Sequence, residues 1–353
     1  MKGPVRLRRS VMLPWLALPM LAIGCVDTFI GPPPPPTNAA LFDQLWHDVD
    51  RHYPFLEYKH LNWDSLGALY RPRAVAAADP GQLAAVLGEL LDELHDDHVS
   101  LSAGETAAIR FTARPAVEPF DVAATIERYV SGATTTAGKH VIYGALAPRV
   151  GYLRLPTFHD AGWAEEIDAA LSSLDARGLS GALVIDLRGN GGGSRATAIA
   201  AAGRFADRAR TFGYLRFRAG VGHDDFSPYA AERVPPSGTA RFHGPVYLLT
   251  DREVLSAAEE FALAMRALPT TTTVGDTTGG ASGGPVTREL SNGWTYQLSQ
   301  WIEYTAAGAI YEDVGLPPDV EVLAGDASAG GGRDRALERA IALARGRIGA
   351  IAE

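Results

Sequence analysis

The stretch LLTDREVLSAAEEFALAM, residues 248–265, changes from a strand-like to a helix-like pattern at Ser256. Its start continues the apolar run GPVYLLT, which is typical of a buried strand, whereas the residues after Ser256 have a helical pattern. Ser256 and Glu259 fit a capping box, in which the hydroxyl accepts the backbone N–H of Glu259 and the Glu259 side chain reaches back. The stretch therefore predicts a strand that leads through Ser256 into a helix.

The same alternation of strand and helix extends over most of the chain after Val150. This order predicts an α/β fold with a largely parallel sheet. Asn292-Gly293 is a strong turn signal and predicts a hairpin over 286–304. The predicted strands are VGYLRL, GALVIDL, FGYLRFRAG, GPVYLLT and TTTTVGD, and the predicted helices are GWAEEIDAALSSLDARG, SRATAIAAAGRFA, the helix after Ser256 and DRALERAIALA.

The region before Val150 has a different character, with three helical signals between residues 38 and 97. Apolar residues at helical spacing mark the first, and a weaker signal surrounds NWDSLGALY. The third begins at Asp79, with Pro80 at the first helical position and Gln82 in a D-x-x-Q capping box. We therefore expect helices to dominate this region.

Residues 105–147 alternate only weakly and predict short strands with loops. The expected organisation is thus an N-terminal helical subdomain over 38–104, a small β-rich insert over 105–147, and an α/β core with a C-terminal helix over 148–353.

The charge balance limits the partners of the chain. Its 353 residues carry a formal charge of −9, and because four basic and no acidic residues precede Cys25, the remainder carries −13. Phosphate binding needs concentrated Lys and Arg, so this acidic body argues against a nucleic-acid partner. Lysine is nearly absent, since Lys2, Lys59 and Lys139 are the only three.

The first residues, MKGPVRLRRSVMLPWLALPMLAIGC, are typical of a targeting segment. A basic start precedes an apolar run from Val11 to Ile23 that is short for a bilayer span. The run ends in LAIGC, which resembles a bacterial lipobox with Cys25 as the lipidated residue, and Cys25 has no second cysteine to pair with. We expect a signal peptide over 1–24 and an extended proline-rich tether over 25–37. An uncleaved signal anchor is the alternative.

Ser256 itself has a structural and a chemical interpretation. The structural one is the helix cap alone. The chemical one notes that a serine at a strand-to-helix turn lies at the carboxyl edge of the sheet, where helical N–H groups can stabilise an oxyanion. Serine is unreactive unless a base takes its proton, so the chemical interpretation requires a histidine or lysine nearby in space.

LVIDLRGNGGG, residues 183–193, places four glycines directly after a predicted buried strand. Such a run indicates that something approaches the backbone closely. No Gly-Lys-Ser/Thr of a phosphate loop follows, and a dinucleotide fingerprint that starts at Gly189 meets Ser194 where it needs glycine. A bare turn and an oxyanion-hole loop both fit this stretch.

LLDELHDDHVSL, residues 90–101, contains two histidines beside two aspartates. The spacing is not H-E-x-x-H and no third group of ligands stands out, so we expect no metal. His95 is expected to end a helix, and His98 to lie in the loop beyond it. IYEDVGLPPDVEV, residues 310–322, predicts a turn before a strand, with Glu312 in solvent on the simplest interpretation.

Together these stretches resemble, in order and spacing, the C-terminal processing peptidase family, the serine peptidases that include the tricorn core. LHDDHVSL is similar to the family's D-G-H-x-x-L segment, GYLRLPTF to its G-Y-I-R-I-x-x-F strand, and VIDLRGNGGGS to its D-L-R-x-N-x-G-G loop. LTDREVLSAAEEFA is similar to the nucleophile turn, VGDTTGGASG to the next strand and glycine turn, and EDVGLPPDVEV to the closing G-V-x-P-D segment. The resemblance covers roughly residues 38–345.

The resemblance implies a crotonase-like (ClpP-type) α/β peptidase core with Ser256 as the nucleophile. It implies oxyanion donors in the backbone N–H groups of Gly192, with Gly193 as the alternate, and of Ala257. One branch of the family uses a lysine base in the glycine turn after the nucleophile strand. Ala281 stands at that position here, and no lysine follows Lys139, which excludes that base.

The tricorn-like branch uses a histidine and a glutamate, and His98 and Glu312 occupy those positions. In this scheme His98 takes the Ser256 proton and returns it to the leaving amine, while Glu312 orients the imidazole. The residue before the histidine is serine or glycine in relatives but Asp97 here, and Asp97 could share or replace the orienting role. The 52 positions from His98 to Val150 leave too little room for the PDZ module of many relatives.

The expected function is an exported, lipid-anchored serine peptidase on the periplasmic or extracellular face of a bacterial envelope. It would act on a peptide or protein substrate without metal or organic cofactor. The alternatives are a catalytically inactive peptide-binding surface lipoprotein of the same fold, and an esterase or other acyl hydrolase that uses the same serine.

Overall fold

Eight helices and fourteen strands account for the ordered elements in the computed structural model, which describes residues 36–104, 109–110, 121–159, 163–323 and 333–352. The helices are α1 Asn38–His52, α2 Trp63–Val75, α3 Pro80–Asp92, α4 Val122–Tyr129, α5 Ala164–Ala176, α6 Arg195–Ala202, α7 Ala257–Arg266 and α8 Arg335–Ala352. The strands are β1 Ser100–Ser102, β2 Ile109–Arg110, β3 Ser131–Thr135, β4 Ile142–Ala147, β5 Val150–Arg154, β6 Ala182–Asp186, β7 Arg210–Phe217, β8 Ala230–Val234, β9 Val246–Thr250, β10 Thr271–Gly275, β11 Pro285–Glu289, β12 Thr295–Ser299, β13 Trp301–Thr305 and β14 Val320–Glu321.

A seven-stranded sheet in the order β14-β10-β9-β6-β5-β4-β3 forms the centre of the fold. The strands from β14 to β5 are parallel to one another, and β4 and β3 extend the sheet antiparallel at one edge. All residues of β5, β6 and β9 are buried, as expected for parallel strands that are covered on both faces. The predicted α/β fold is confirmed.

Alternation along the central strands divides the core into two layers. In β6, Leu183 and Ile185 pack in the core that contains α5, α6 and α7, whereas Val184 packs against α8 on the other face. Because successive strand side chains point to opposite faces, each helix layer receives its own set of apolar residues. The carboxyl ends of β6 and β9 meet at one edge of the sheet, and that edge carries the glycine-rich stretch and Ser256.

The N-terminal helices form a second core with the smaller sheets. The side chain of Asn62 caps α2 by accepting from Ser65 N at 3.0 Å, and Asp79 caps α3 by accepting from Gln82 N at 2.8 Å. The returning bond of Gln82 goes to the N–H of Ala78 at 3.1 Å rather than to that of Asp79. All three predicted helices are therefore present, and α1, α2 and α3 bury their apolar faces together.

Two short sheets connect this helical region to the α/β core. One has the order β11-β12-β1-β2 and the other β13-β7-β8. Strand β1, which follows His98, pairs antiparallel with β12 from Ser100–Gln297 to Ser102–Thr295. The hairpin predicted about Asn292-Gly293 is formed by β11 and β12, but β13 leaves it for the other sheet. The loop that carries His98 is thus fixed by a strand from the C-terminal half.

Strands β1 and β8 were not predicted, and neither was helix α4, since residues 105–147 predicted only strands and loops. Asp121 caps it by accepting from Ala124 N at 2.9 Å. The predicted signal peptide over 1–24, Cys25 and nearly all of the tether lie outside the described residues. Within the part of the chain that is described, no helix is both long and apolar enough to cross a bilayer.

Candidate active site

Ser256 lies at the turn between β9 and α7 with φ +52° and ψ −127°, a conformation that non-glycine residues rarely adopt. Its N–H donates to the Ala281 carbonyl at 3.1 Å and to the Glu259 carboxylate at 3.2 Å. The two residues form a capping box in which only the bond from Ser256 N to the Glu259 carboxylate has normal geometry. The Glu259 N–H donates at 2.7 Å to the Ser256 backbone carbonyl rather than to the Ser256 hydroxyl. A backbone held in a strained region is typical of functional sites.

His98 faces the hydroxyl of Ser256, with 3.0 Å between Nε2 and Oγ. Its other nitrogen, Nδ1, lies 2.8 Å from the backbone carbonyl of Ser282. A carbonyl oxygen can only accept, so Nδ1 carries the proton and Nε2 is left as the acceptor that faces Ser256. The two residues are 158 positions apart in the sequence, and the fold brings them within hydrogen-bonding distance.

Asp96 fixes the backbone of the His98 loop. It is 1% exposed and accepts the His98 N–H at 2.8 Å through one oxygen. Its other oxygen accepts the hydroxyls of Tyr53 at 2.9 Å and Ser299 at 2.8 Å. One buried carboxylate thus joins α1's end, the His98 loop and β12.

Glu312 is buried, contrary to the solvated position expected from its sequence context, and it meets His98 only through Ser282. Its Oε2 accepts the N–H of Ser282 at 2.7 Å and the hydroxyl of Ser282 at 2.8 Å. Burial and the neighbouring Asp96 raise the pKa of Glu312 well above its ordinary value, whereas Lys59 and the Ser282 hydroxyl act in the opposite direction. The carboxylate therefore fixes the residue whose carbonyl holds Nδ1.

Asp97, the other candidate for orienting His98, is half-buried beside it and has interactions of its own. The acceptor that the structure gives Nδ1 is nevertheless the Ser282 carbonyl. Geometry therefore links His98 to Glu312 by way of Ser282.

The glycine-rich stretch lies directly beside Ser256. At Gly192, φ is +94°, and an added Cβ would lie 2.9 Å from Ser256 Cβ and 3.0 Å from Ala257 N. A side chain at this position would displace the turn that carries Ser256. Asn190 fixes the stretch, because its side chain donates to the Leu155 carbonyl at 2.9 Å and its own carbonyl accepts Leu255 N at 3.1 Å.

The three backbone donors proposed for an oxyanion differ in their hydrogen bonding. The N–H of Gly192 donates to the Asn190 side chain at 2.9 Å. Among hydrogen bonds between described residues, the N–H groups of Gly193 and Ala257 have no acceptor. The arrangement therefore favours Gly193, the alternate of the sequence-based prediction, together with Ala257 at the start of α7.

Glu259 joins the Ser256 turn to the glycine turn after β10. Besides Ser256 N, it accepts the N–H groups of Gly280 at 2.8 Å and Ala281 at 2.9 Å and the hydroxyl of Thr278 at 2.5 Å. Burial raises the pKa of Glu259 to about 7, although these hydrogen bonds favour its ionised form. Ala281, at the position of the lysine base in the other branch, is buried here and contributes only its backbone.

Three residues that the sequence patterns did not assign to the site are Ser282, Asp96 and Lys59. Asp96 and Ser282 lie inside the motifs that were recognised, whereas Lys59 lies in none of them, and its rarity was its only signal. Among the described residues, no group of three or more His, Cys, Asp or Glu side chains is arranged to hold a metal ion.

Two segments of this chain match the sequence profiles of known protein families. Residues 149–322 match the sequence profile of peptidase family S41, and residues 34–92 match that of the tricorn protease C1 domain. The carboxy-terminal processing protease CtpA of Bacillus subtilis is 26% identical over 174 residues, which cover 49% of this chain and 34% of that protein. The chain thus spans about a third of the length of this curated relative.

Solved structures match over a larger part of the chain. A candidate peptidase from Parabacteroides merdae ATCC 43184 has a TM-score of 0.77 at 28% identity, over 88% of this chain and 97% of that one. The tricorn protease has a TM-score of 0.56 at 16% identity, over 88% of this chain and 37% of that one, which shows a shared fold.

Proposed function

This chain belongs to peptidase family S41, and we propose that it is a serine peptidase in which Ser256 is the nucleophile and His98 the general base. The observation that carries the proposal is the 3.0 Å contact between Ser256 Oγ and His98 Nε2, with Nδ1–H donated to a fixed carbonyl. An unprotonated ring nitrogen is thereby aimed at the hydroxyl that must lose its proton.

The reaction follows from this arrangement. Ser256 Oγ attacks the carbonyl carbon of a peptide bond while its proton passes to Nε2 of His98. The N–H groups of Gly193 and Ala257 stabilise the oxyanion. His98 then gives the proton to the leaving amine, and a water molecule hydrolyses the acyl-enzyme by the same route.

Substitution of the two central residues tests the proposal. Ser256→Ala and His98→Ala should each remove most of the turnover of fluorescein-labelled casein, leaving at most ~10³–10⁴-fold acceleration over water from the oxyanion hole and binding. Ser172→Ala and His243→Ala, which change exposed residues elsewhere, are the matched controls and should retain turnover. Equal turnover by His98→Ala and wild type would contradict the assigned base.

The competing functions give different outcomes in the same assays. A folded wild-type chain that binds peptides but never turns over, and whose Ser256 does not react with a serine-directed probe, favours a peptide-binding protein. Turnover of activated esters without any peptide hydrolysis favours an acyl hydrolase.

The proposed location is the bacterial envelope, with a lipid anchor on Cys25. The lipobox-like LAIGC, the basic start before it and the proline-rich stretch after it support this proposal. Cys25→Ala should move the protein from the detergent phase to the aqueous phase of a Triton X-114 separation. An unchanged distribution would contradict lipidation at Cys25, and a variant that remains membrane-bound with its leader uncleaved would favour a signal anchor.

A further inference from the structure

Lys59 is the buried cation of the active-site region. Its side chain is 6% exposed, and Nζ lies 2.9 Å from the His95 carbonyl, 2.9 Å from Asp313 Oδ1 and 3.5 Å from Glu312 Oε1. His95 begins the loop of His98, and the two acids belong to the closing segment. Lys59 therefore joins the loop of the general base to the carboxylate behind it.

The charges around Glu312 explain why a cation is needed there. Asp96 and Asp313 are the neighbouring carboxylates, and Tyr53 and Tyr58 are the neighbouring phenols. The Tyr58 hydroxyl donates to the Glu312 backbone carbonyl at 2.9 Å. Although burial disfavours its charge, attraction to Glu312 and Asp96 raises the pKa of Lys59. A buried carboxylate without such a partner takes up a proton instead.

The protonation state of Glu312 affects how firmly Ser282 is held, because one oxygen of Glu312 accepts two hydrogen bonds from Ser282. Both the N–H and the hydroxyl of Ser282 donate to Oε2. An ionised carboxylate accepts both bonds as charge-assisted hydrogen bonds, whereas a carboxyl protonated on Oε1 still accepts them at Oε2 but more weakly. Weaker bonds would hold Ser282 less firmly, and with it the carbonyl that accepts the Nδ1–H of His98.

We propose that Lys59 is a positioning residue of the peptidase reaction, which favours the ionised form of Glu312 so that Ser282 holds His98 in the tautomer and orientation that accept the Ser256 proton. The inference rests on the proposed function. Lys59 touches none of the reacting atoms, so its effect is on the rate of the chemical step and on its pH dependence rather than on substrate binding.

The test compares neutral and charged variants of Lys59 by the rate at which a fluorophosphonate probe labels Ser256 between pH 5 and 9. Lys59→Met and Lys59→Gln should slow labelling at pH 7 by up to about tenfold for each unit by which the pKa of Glu312 rises. In both variants, the fall of the labelling rate on the acid side of the pH profile should begin at higher pH than in the wild type. Lys59→Arg should restore most of the rate, and Lys139→Met, at an exposed lysine, is the matched control.

A coupled variant separates positioning from folding. If Lys59 acts through Glu312, adding Lys59→Met to Glu312→Gln should cause little further loss, because the two effects are not additive. A Lys59→Met chain that folds only together with Glu312→Gln shows the same coupling. A chain that stays unfolded in both backgrounds gives Lys59 a purely structural role and overturns the proposal.

The remaining outcomes distinguish this inference from the proposed function. Wild-type protein that is folded but not labelled at Ser256 contradicts the peptidase itself. Wild-type protein that is labelled at the same rate and with the same pH profile as Lys59→Met and Lys59→Gln contradicts only the role of Lys59.

Discussion

The nucleophile and the base are held by different means in the two regions that meet at the site. In the α/β core, Ser256 and Gly192 both have positive φ values, and contacts at Gly192 leave no space for a Cβ. In the N-terminal helical region, His98 is fixed by buried charged and polar side chains, above all Asp96. We therefore expect a change of shape at Gly192 to disturb the nucleophile, and a change of charge among the buried side chains around His98 to disturb the base.

Gly192→Ala tests the shape-dependent side and should have the largest effect. The new Cβ would overlap Ser256 Cβ and Ala257 N, so both the nucleophile and an oxyanion donor would move. We expect kcat/KM to fall by about 10²–10³-fold or more, as for the loss of an oxyanion-hole donor. Gly178→Ala is the matched control, because Gly178 also has a positive φ but open space around it. Equal losses in both would mean that backbone strain alone explains the effect.

Glu312→Gln tests the charged side chains that hold His98, and its loss of activity should be smaller than that of Gly192→Ala. Because Glu312 reaches His98 through Ser282, kcat should fall by about 10–10²-fold, well below the ~10⁴-fold loss known for a directly bonded orienting aspartate. Asp97→Asn should cost less. Steady-state kinetics that determine kcat and KM separately for both variants and the wild type measure these losses. A collapse in Asp97→Asn beside an unaffected Glu312→Gln would transfer the orienting role to Asp97.

Glu260→Gln should have the smallest effect, and on stability rather than on chemistry. Burial raises the pKa of Glu260, on α7, to about 7, although Arg195 opposes the shift. Because this value lies above the ordinary one, protonation favours the folded state, and the contribution is present near pH 4 and lost as the pH rises through about 7. The free energy of unfolding should therefore fall by about 1–3 kcal/mol from this group between pH 5 and 8.

Denaturant unfolding at several pH values measures this slope. Glu260→Gln should flatten it, and the exposed Glu127→Gln should leave it as in the wild type. A slope that is unchanged in Glu260→Gln would show that other buried acids, such as Glu259, account for the whole dependence.

The sequence predicted the parts of the site that depend on local pattern. The strand-to-helix turn at Ser256, the Asp79 cap of α3 and the hairpin at Asn292-Gly293 each follow from residues within a few positions. Helix α4 was missed because residues 105–147 gave only a weak alternating pattern. The resemblance to a peptidase family supplied the pairing of Ser256 with His98, which no local pattern contains.

Contacts across long sequence separations were beyond such patterns. The Ser282 carbonyl that meets His98 is 184 positions away, and Asp313, which binds Lys59, is 254 positions away. A single lysine or serine forms no periodic pattern from which its contact partner can be predicted, so only the folded chain shows these contacts. For the same reason, the engagement of the Gly192 N–H by Asn190 became visible only in the structure.

The most direct measurement of the central claim is the covalent labelling of the full chain by a fluorophosphonate probe, followed by peptide mapping. We expect a single phosphonylated residue, Ser256, in the wild type, and labelling that is slower by about 10³-fold or more in His98→Ala, as for the loss of a general base. Folded wild-type protein that takes up no probe at Ser256, or that labels equally fast without His98, would contradict it.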